Sequence, residues 1–169
     1  HWDRKLDGKI AMAMLSIPAM KGVELGSAFD NAKKRGTKVH DEMFLNETLE
    51  IKRKTNRAAG LEGGISTGEP ILVRVAMKPI STTLTPRDSV DLALKKNRKT
   101  SYERSDFCAL PRAVPIGEAM LSLVITDALM DKVGGDSLAE MKENFQHLAK
   151  SNMHDISMKN TPWIFDYDK

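Results

Sequence analysis

The sequence predicts an α+β fold, and two observations carry that expectation. Strand-like stretches crowd the first half of the 169-residue chain, and the strongest helical stretches lie in its second half. Such runs, rather than strictly alternating units, separate α+β chains from doubly wound α/β chains. Hydrophobic residues make up 41% of the chain, enough for a core and too many for a disordered segment. The length suits one domain, or a small domain with an arm.

Residues 3–16 read as the first helix. Leu6, Ile10, Ala13 and Ile17 recur at helical spacing. Asp3 and Asp7 sit near its start, where the helix dipole favours acids, and Pro18 stops it. Lys21–Leu25 reads as a short strand. Phe29–Arg35 reads as a short helix or a loop closed by Gly36. Thr48–Lys54 alternates apolar and polar residues as an edge strand does. A Gly-rich loop, Gly60-Leu-Glu-Gly-Gly-Ile-Ser-Thr-Gly68, leads into a strand over Ile71–Met77. Ile71, Val73, Val75 and Met77 share one face of it, and Lys78-Pro79 ends it.

Residues 82–105 are polar and read as a long loop with a hairpin around Lys95–Thr100. Ile116–Val133 is apolar nearly all round, so it reads as a buried helix closed by Gly134-Gly135. Ser137 and Glu140 have capping-box spacing. They open an amphipathic helix with Leu138, Met141, Phe145 and Leu148 on one face. Residues 151–169 read as an irregular tail anchored by Trp163 and Phe165.

Lys and Arg number 26 against 23 Asp and Glu, a net charge of +3. That balance argues against a nucleic-acid partner. The basic stretches Lys52–Lys54 and Lys95–Lys99 read as solvated turns or hairpin ends. A single cysteine, Cys108, excludes an internal disulfide and suits a reducing compartment. The apolar run Met120–Ile125, bounded by Glu118 and Asp127, is too short to span a bilayer. No signal peptide is legible. The chain begins His1-Trp2-Asp3-Arg4 without an initiator Met, as a piece of a longer protein would.

Neither a GxGxxG nor a Walker A loop occurs, and no Cys/His set has metal-ligand spacing. Three segments carry possible chemistry. Glycines in the Gly60–Gly68 loop let backbone N–H groups approach a ligand, although on spacing alone a wide turn between two strands is the better account of them. Lys78, followed by Pro79, Ile80, Ser81 and Thr82, offers a cation and two hydroxyls at a strand end, suited to phosphate or to an ordinary loop. Arg104-Ser105-Asp106 sets a cation and a carboxylate on one face of an extended segment. That pair could bind an anion and move a proton, or form a surface ion pair.

Taken in order, these segments resemble the C-terminal half of chorismate synthase. The matching strings are Met14-Leu-Ser-Ile-Pro-Ala-Met-Lys-Gly-Val-Glu-Leu-Gly26, Arg53-Lys-Thr-Asn-Arg57 and Gly60-Leu-Glu-Gly-Gly-Ile-Ser-Thr-Gly-Glu-Pro70. They continue with Arg74-Val-Ala-Met-Lys-Pro-Ile-Ser-Thr82, Arg104-Ser-Asp106, Pro111-Arg-Ala-Val-Pro-Ile-Gly-Glu-Ala-Met120 and Gly134-Gly-Asp-Ser137. The resemblance covers about residues 2–140. It implies that residues 1–169 are the C-terminal portion of a chorismate synthase-like domain, with the N-terminal half and its histidines and arginines absent. It also implies a β-α-β sandwich in which Ile116–Val133 is a central helix against an antiparallel sheet.

The family activity is a phosphate elimination. 5-Enolpyruvylshikimate 3-phosphate loses phosphate and one ring proton in an anti-1,4 sense to give chorismate, the last step of the shikimate pathway. Reduced FMN is required, and some fungal members reduce it with NADPH. Family members are cytoplasmic homotetramers acting on a small molecule, with no nucleic-acid or membrane partner implied. Carried over by position, Pro18 and Ala19 line the flavin through their backbone and Gly63 allows a close approach. Lys78, Pro79, Ile80, Ser81 and Thr82 wrap the FMN. Arg104 meets flavin and substrate anions. Asp106 takes part in proton removal, relayed through the flavin N5, while Asn56 and Arg57 are secondary candidates. Ala59 and Phe107 depart from the family pattern, at the loop entry and beside Asp106. Two rival readings remain: a non-catalytic assembly module of the same ancestry, and an unrelated phosphate- or nucleotide-binding domain.

Overall fold

A computed structural model describes residues 1–81, 83–103 and 108–148. After a 3-10 turn at Trp2–Arg4 come helix α1 (Leu6–Ser16), strand β1 (Met20–Leu25) and the single turn α2 (Ala28–Asn31). A second 3-10 turn, Gly36–Lys38, precedes β2 (Met43–Leu45), β3 (Ile51–Arg53), β4 (Leu61–Glu62) and β5 (Ile65–Ser66). The chain continues through β6 (Val73–Met77), β7 (Asp88–Asp91), β8 (Lys96–Lys99), α3 (Leu110–Val133) and α4 (Leu138–His147). The α+β class expected from the sequence is what these elements form.

Helix α1 is the centre of the core. Leu6, Ile10, Ala13 and Met14 are buried along one stripe, and Ile17, Met20, Leu61 and Ala113 join them. Ile10 is fully enclosed. β1 and β6 pair antiparallel beside it, with Met20 opposite Met77 and Leu25 opposite Val73. One face of α3, through Met120, Leu121, Val124, Ile125 and Ala128, closes the other side. Lys9 on α1 reaches Asp127 on α3 at 3.1 Å.

Several expectations are corrected. The antiparallel strands form four separate two-stranded pairs, β1–β6, β2–β3, β4–β5 and β7–β8, not one continuous sheet. α3 is not buried all round: Ala113 is its one buried residue. α1 and the β1–β6 pair lie against one face of it. α4 packs near its C-terminal end, where Asn144 Nδ2 donates to the Val133 carbonyl at 3.3 Å, while Val114, Ile116 and Leu123 stay exposed. By length and composition α3 is also apolar enough to cross a membrane, because the acids interrupting its apolar run are too few to lower the whole helix.

α3 also starts earlier than expected, taking in both Pro111 and Pro115. Pro111 lies in the first turn, where its missing N–H costs nothing. Strand β3 is shorter than expected because Asn46 folds the preceding residues into a turn. Its Oδ1 accepts from the N–H of Thr48 at 3.1 Å and of Glu50 at 2.8 Å. The hairpin expected near residue 95 is β7–β8. Ser137 caps α4 as expected, accepting from the Glu140 N–H at 3.2 Å, while the Glu140 carboxylate receives the Asp136 N–H at 2.9 Å. The tail at 151–169, with Trp163 and Phe165, lies outside the described residues.

Candidate functional site

Two regions carry the residues singled out from the sequence, at opposite ends of α1. The first is a corner where α1 turns into β1. Pro18 and Ala19 occupy the second and third positions of a tight turn closed by the Met20 N–H on the Ile17 carbonyl at 3.2 Å. Proline presets the second position, and the third needs positive φ, the type II pattern. Ala19 supplies it at φ 70, a conformation that costs an alanine about 1–2 kcal/mol.

The Met20–Met77 register then brings the residue after β6 against this turn. The Lys78 N–H donates to the Ala19 carbonyl at 2.8 Å. Pro18 and Ala19 thus sit beside Lys78 and Pro79, although about sixty residues separate them in sequence.

A cavity of about 260 Å³ opens here, lined by Met77, Lys78, Pro79, Ile80, Cys108, Ala109 and Leu110. The last three form the start of α3, whose N-cap residue, Ala109, offers no side-chain cap. A helix start carries partial positive charge. In this first turn Pro111 has no N–H and the Arg112 N–H already bonds the Ala109 carbonyl at 3.1 Å, which leaves the Leu110 N–H outside the helix's own ladder. Lys78 forms no ion pair among the described residues. A free cation and a helix start sharing one small cavity suit an anionic group. The apolar atoms of Met77, Pro79, Ile80 and Leu110 offer the same cavity a surface for a flat ring. Ser81 is exposed just beyond it. Thr82, Arg104 and Asp106 lie outside the described residues, as does Phe107. Met77, Cys108, Ala109 and Leu110 were not singled out by sequence reasoning as cavity residues. Nothing in their local spacing signals it, because the β1–β6 register and the helix start create the cavity.

The second region is the Gly-rich loop, at the N-terminal end of α1. With 11 residues in α1, it lies roughly 16 Å along the helix from the Lys78 corner. The loop is a tight β4–β5 hairpin with Gly63 at φ 62 and Gly64 at φ 85. Positive φ at both turn residues is the I′ pattern that matches strand twist. The Gly64 carbonyl accepts the first N–H of α1, from Leu6, at 2.8 Å. Gly63 therefore belongs to the far end of α1 and is not brought to Lys78.

The base of the loop is tightly tied. Asn56 Nδ2 donates to the Pro70 carbonyl at 2.8 Å, and its Oδ1 accepts the Gly60 N–H at 2.7 Å. The Asp41 carboxylate accepts from the Thr55 hydroxyl and from the Arg57 and Ala58 N–H groups, both at 2.9 Å. Burial pushes the Asp41 carboxyl up. The Thr55 and backbone bonds and the Arg57 charge outweigh it and hold the group below its ordinary value. Ala59, the residue that departs from the family pattern, is fully buried at φ 57. Its methyl is therefore kept in a left-handed conformation that a glycine would adopt freely.

Fold and corner together define an α+β protein with an anion-receptive corner at one sheet end. Comparison with known proteins makes this specific. The profile of the family described as chorismate synthase matches residues 1–130. The chain is 50% identical to the chorismate synthase of Chlorobaculum tepidum over 144 residues, covering 85% of this chain and 36% of that protein. It is 50% identical to the Aquifex aeolicus chorismate synthase over 146 residues, with 86% and 37% covered. A crystal structure of chorismate synthase superposes with a TM-score of 0.68 at 42% identity, covering 86% of this chain and 36% of that one. The chain belongs to the chorismate synthase family. It spans little more than a third of the length of the relatives it matches.

Proposed function

We propose that this chain is the C-terminal portion of a chorismate synthase, a cytoplasmic, homotetrameric carbon–oxygen lyase that converts 5-enolpyruvylshikimate 3-phosphate to chorismate with reduced FMN. The observation that carries this reading is the Lys78 corner, in a chain that belongs to the family. A cation and an uncapped helix start line one cavity, and Ala19 lies against its rim.

The corner suits reduced FMN in both of its parts. The Lys78 ammonium and the start of α3 would hold an anionic group, and Pro18, Ala19, Pro79 and Ile80 would lie against the ring. Ser81 would extend the same wall, and Thr82 would contact the FMN as its position in the family motif implies. When bound, reduced FMN supplies electron density to the allylic system. The protein's part is to orient the substrate, exclude water and manage charge. Arg104 would meet anions of substrate and cofactor as phosphate leaves. Asp106 would accept or relay the ring proton. Gly63, at the far end of α1, would contact a ligand only outside the Lys78 corner.

The chain alone would be inactive, because most of the family's length is not in it. The test is chorismate formation by the full-length protein, anaerobically, from 5-enolpyruvylshikimate 3-phosphate and chemically reduced FMN. Product supports the reading. Absence of product with flavin and substrate bound refutes the activity and leaves a non-catalytic member of the family.

A further inference from the structure

The knot at the base of the Gly-rich loop holds both elements that build the Lys78 corner, each by its far end. The β4–β5 hairpin that rises from it carries Gly64 at its turn, and Gly64 receives the first N–H of α1. Through Leu72 the knot holds β1 and β6. The Leu72 N–H donates to the Ala59 carbonyl at 3.3 Å, and the Leu72 carbonyl accepts the Gly26 N–H at 2.8 Å. At their near ends α1 and β6 meet again, where the Lys78 N–H donates to Ala19.

Asn56 closes this knot. Pro70 offers only an acceptor and the Gly60 N–H only a donor, so an amide side chain satisfies both and a carboxylate satisfies one. Asp41 holds both neighbours of Asn56, the Thr55 side chain through its hydroxyl and the following backbone through the Arg57 and Ala58 N–H groups. The space around Gly60 leaves no slack. A Cβ there would fall 2.6 Å from the carbonyl oxygens of Glu69 and Pro70.

We propose that Asn56, braced by Asp41, is a positioning residue of the enzyme: it anchors the far ends of α1 and the β1–β6 pair and thereby sets the geometry of the Lys78 corner. The functional part of this inference rests on the reading of that corner as the reduced-FMN site. The lever is stiff, because α1 is a continuous helix with Ile10 fully enclosed beneath it. Small displacements of a binding group cost rate or affinity steeply.

The experiment uses the full-length protein with Asn56→Ala and Asn56→Asp, and Asp41→Asn as a second route should either Asn56 variant fail to fold. Hydrogen exchange is read at the Lys78 amide, and KM for reduced FMN and kcat are read in the anaerobic assay. In Asn56→Ala the Lys78 amide is expected to exchange about 10-fold faster. KM for reduced FMN is expected to rise by about 10-fold, with kcat at saturation within about 2-fold. Asn56→Asp, keeping the acceptor for Gly60, is expected to recover part of both losses.

Loosening confined to residues 56–70, with the Lys78 amide as protected as in the parent, overturns the anchoring role. A more exposed Lys78 amide with unchanged KM for reduced FMN overturns its link to the cofactor. A parent protein that binds no flavin overturns the underlying reading of the corner, and the exchange result then stands apart from it.

Discussion

Gly60→Ala puts the packing of the loop base to a quantitative test. Gly60 is buried at φ 75. An added methyl would lie 2.6 Å from two backbone carbonyl oxygens and 2.9 Å from the Pro70 carbonyl carbon. These are main-chain atoms, so no rotamer change relieves the overlap. The left-handed conformation alone costs an alanine about 1–2 kcal/mol. Forcing packed groups apart adds about 1–3 kcal/mol. The expected loss is therefore about 2–5 kcal/mol.

Gly63→Ala supplies the control. It has nearly the same backbone conformation, at φ 62, but open space, with nothing within 4 Å of an added Cβ. It should show the conformational cost alone. Urea unfolding of the full-length protein, followed by circular dichroism, reads both. Gly60→Ala should lose at least about 1 kcal/mol more than Gly63→Ala. Equal losses would refute the claim that the loop base is sterically closed.

Three further outcomes are expected. Lys78→Ala in the full-length protein should weaken reduced-FMN affinity about 10- to 100-fold, the range of one charge-assisted bond, with little loss of stability; unchanged affinity removes Lys78 from the site. Asp106→Ala should lower turnover strongly while flavin binding persists, and wild-type turnover would end its proposed role in proton removal. Asp41 has a carboxyl held below its ordinary value when folded, so its contribution is present above the unfolded pKa and lost as pH falls through the folded one. Acid unfolding below about pH 4 should accordingly be less steep in Asp41→Asn than in the parent; coincident acid limbs would show that its hydrogen bonds do not contribute.

The parts of the fold legible in the sequence were those with their own period. Leu6, Ile10, Ala13 and Ile17 repeat at helical spacing, and all four are buried. Ser137 and Glu140 announce a helix start that the structure forms. β2 was illegible because Met43, Phe44 and Leu45 are apolar at every position and exposed on both faces, so no alternation marks a strand. The start of α3 was hidden by Pro115, which removes one interior N–H and would end many helices. The remaining length of this 24-residue helix outweighs that loss.

The candidate site residues stood in the sequence as separate strings, and nothing in them told how the described ones are arranged. The closeness of Ala19 to Lys78 follows from one strand register. The separation of Gly63 from both follows from the length of α1. Neither quantity has a local signature. Asp41 was missed for the same reason, since its partners Thr55, Arg57 and Ala58 lie 14 to 17 positions away.

The pairing that creates the corner also sets when it can form. β4–β5 closes across two residues, whereas Met20 meets Met77 only after a loop of roughly 57 residues closes. Relative to a six-residue hairpin, that closure costs about 2 kcal/mol more in chain entropy. Local hairpins therefore come early and the lysine corner late. During synthesis, Ala19 has no partner until the ribosome has released Lys78, and the cavity itself waits for Cys108, Ala109 and Leu110, about thirty residues later.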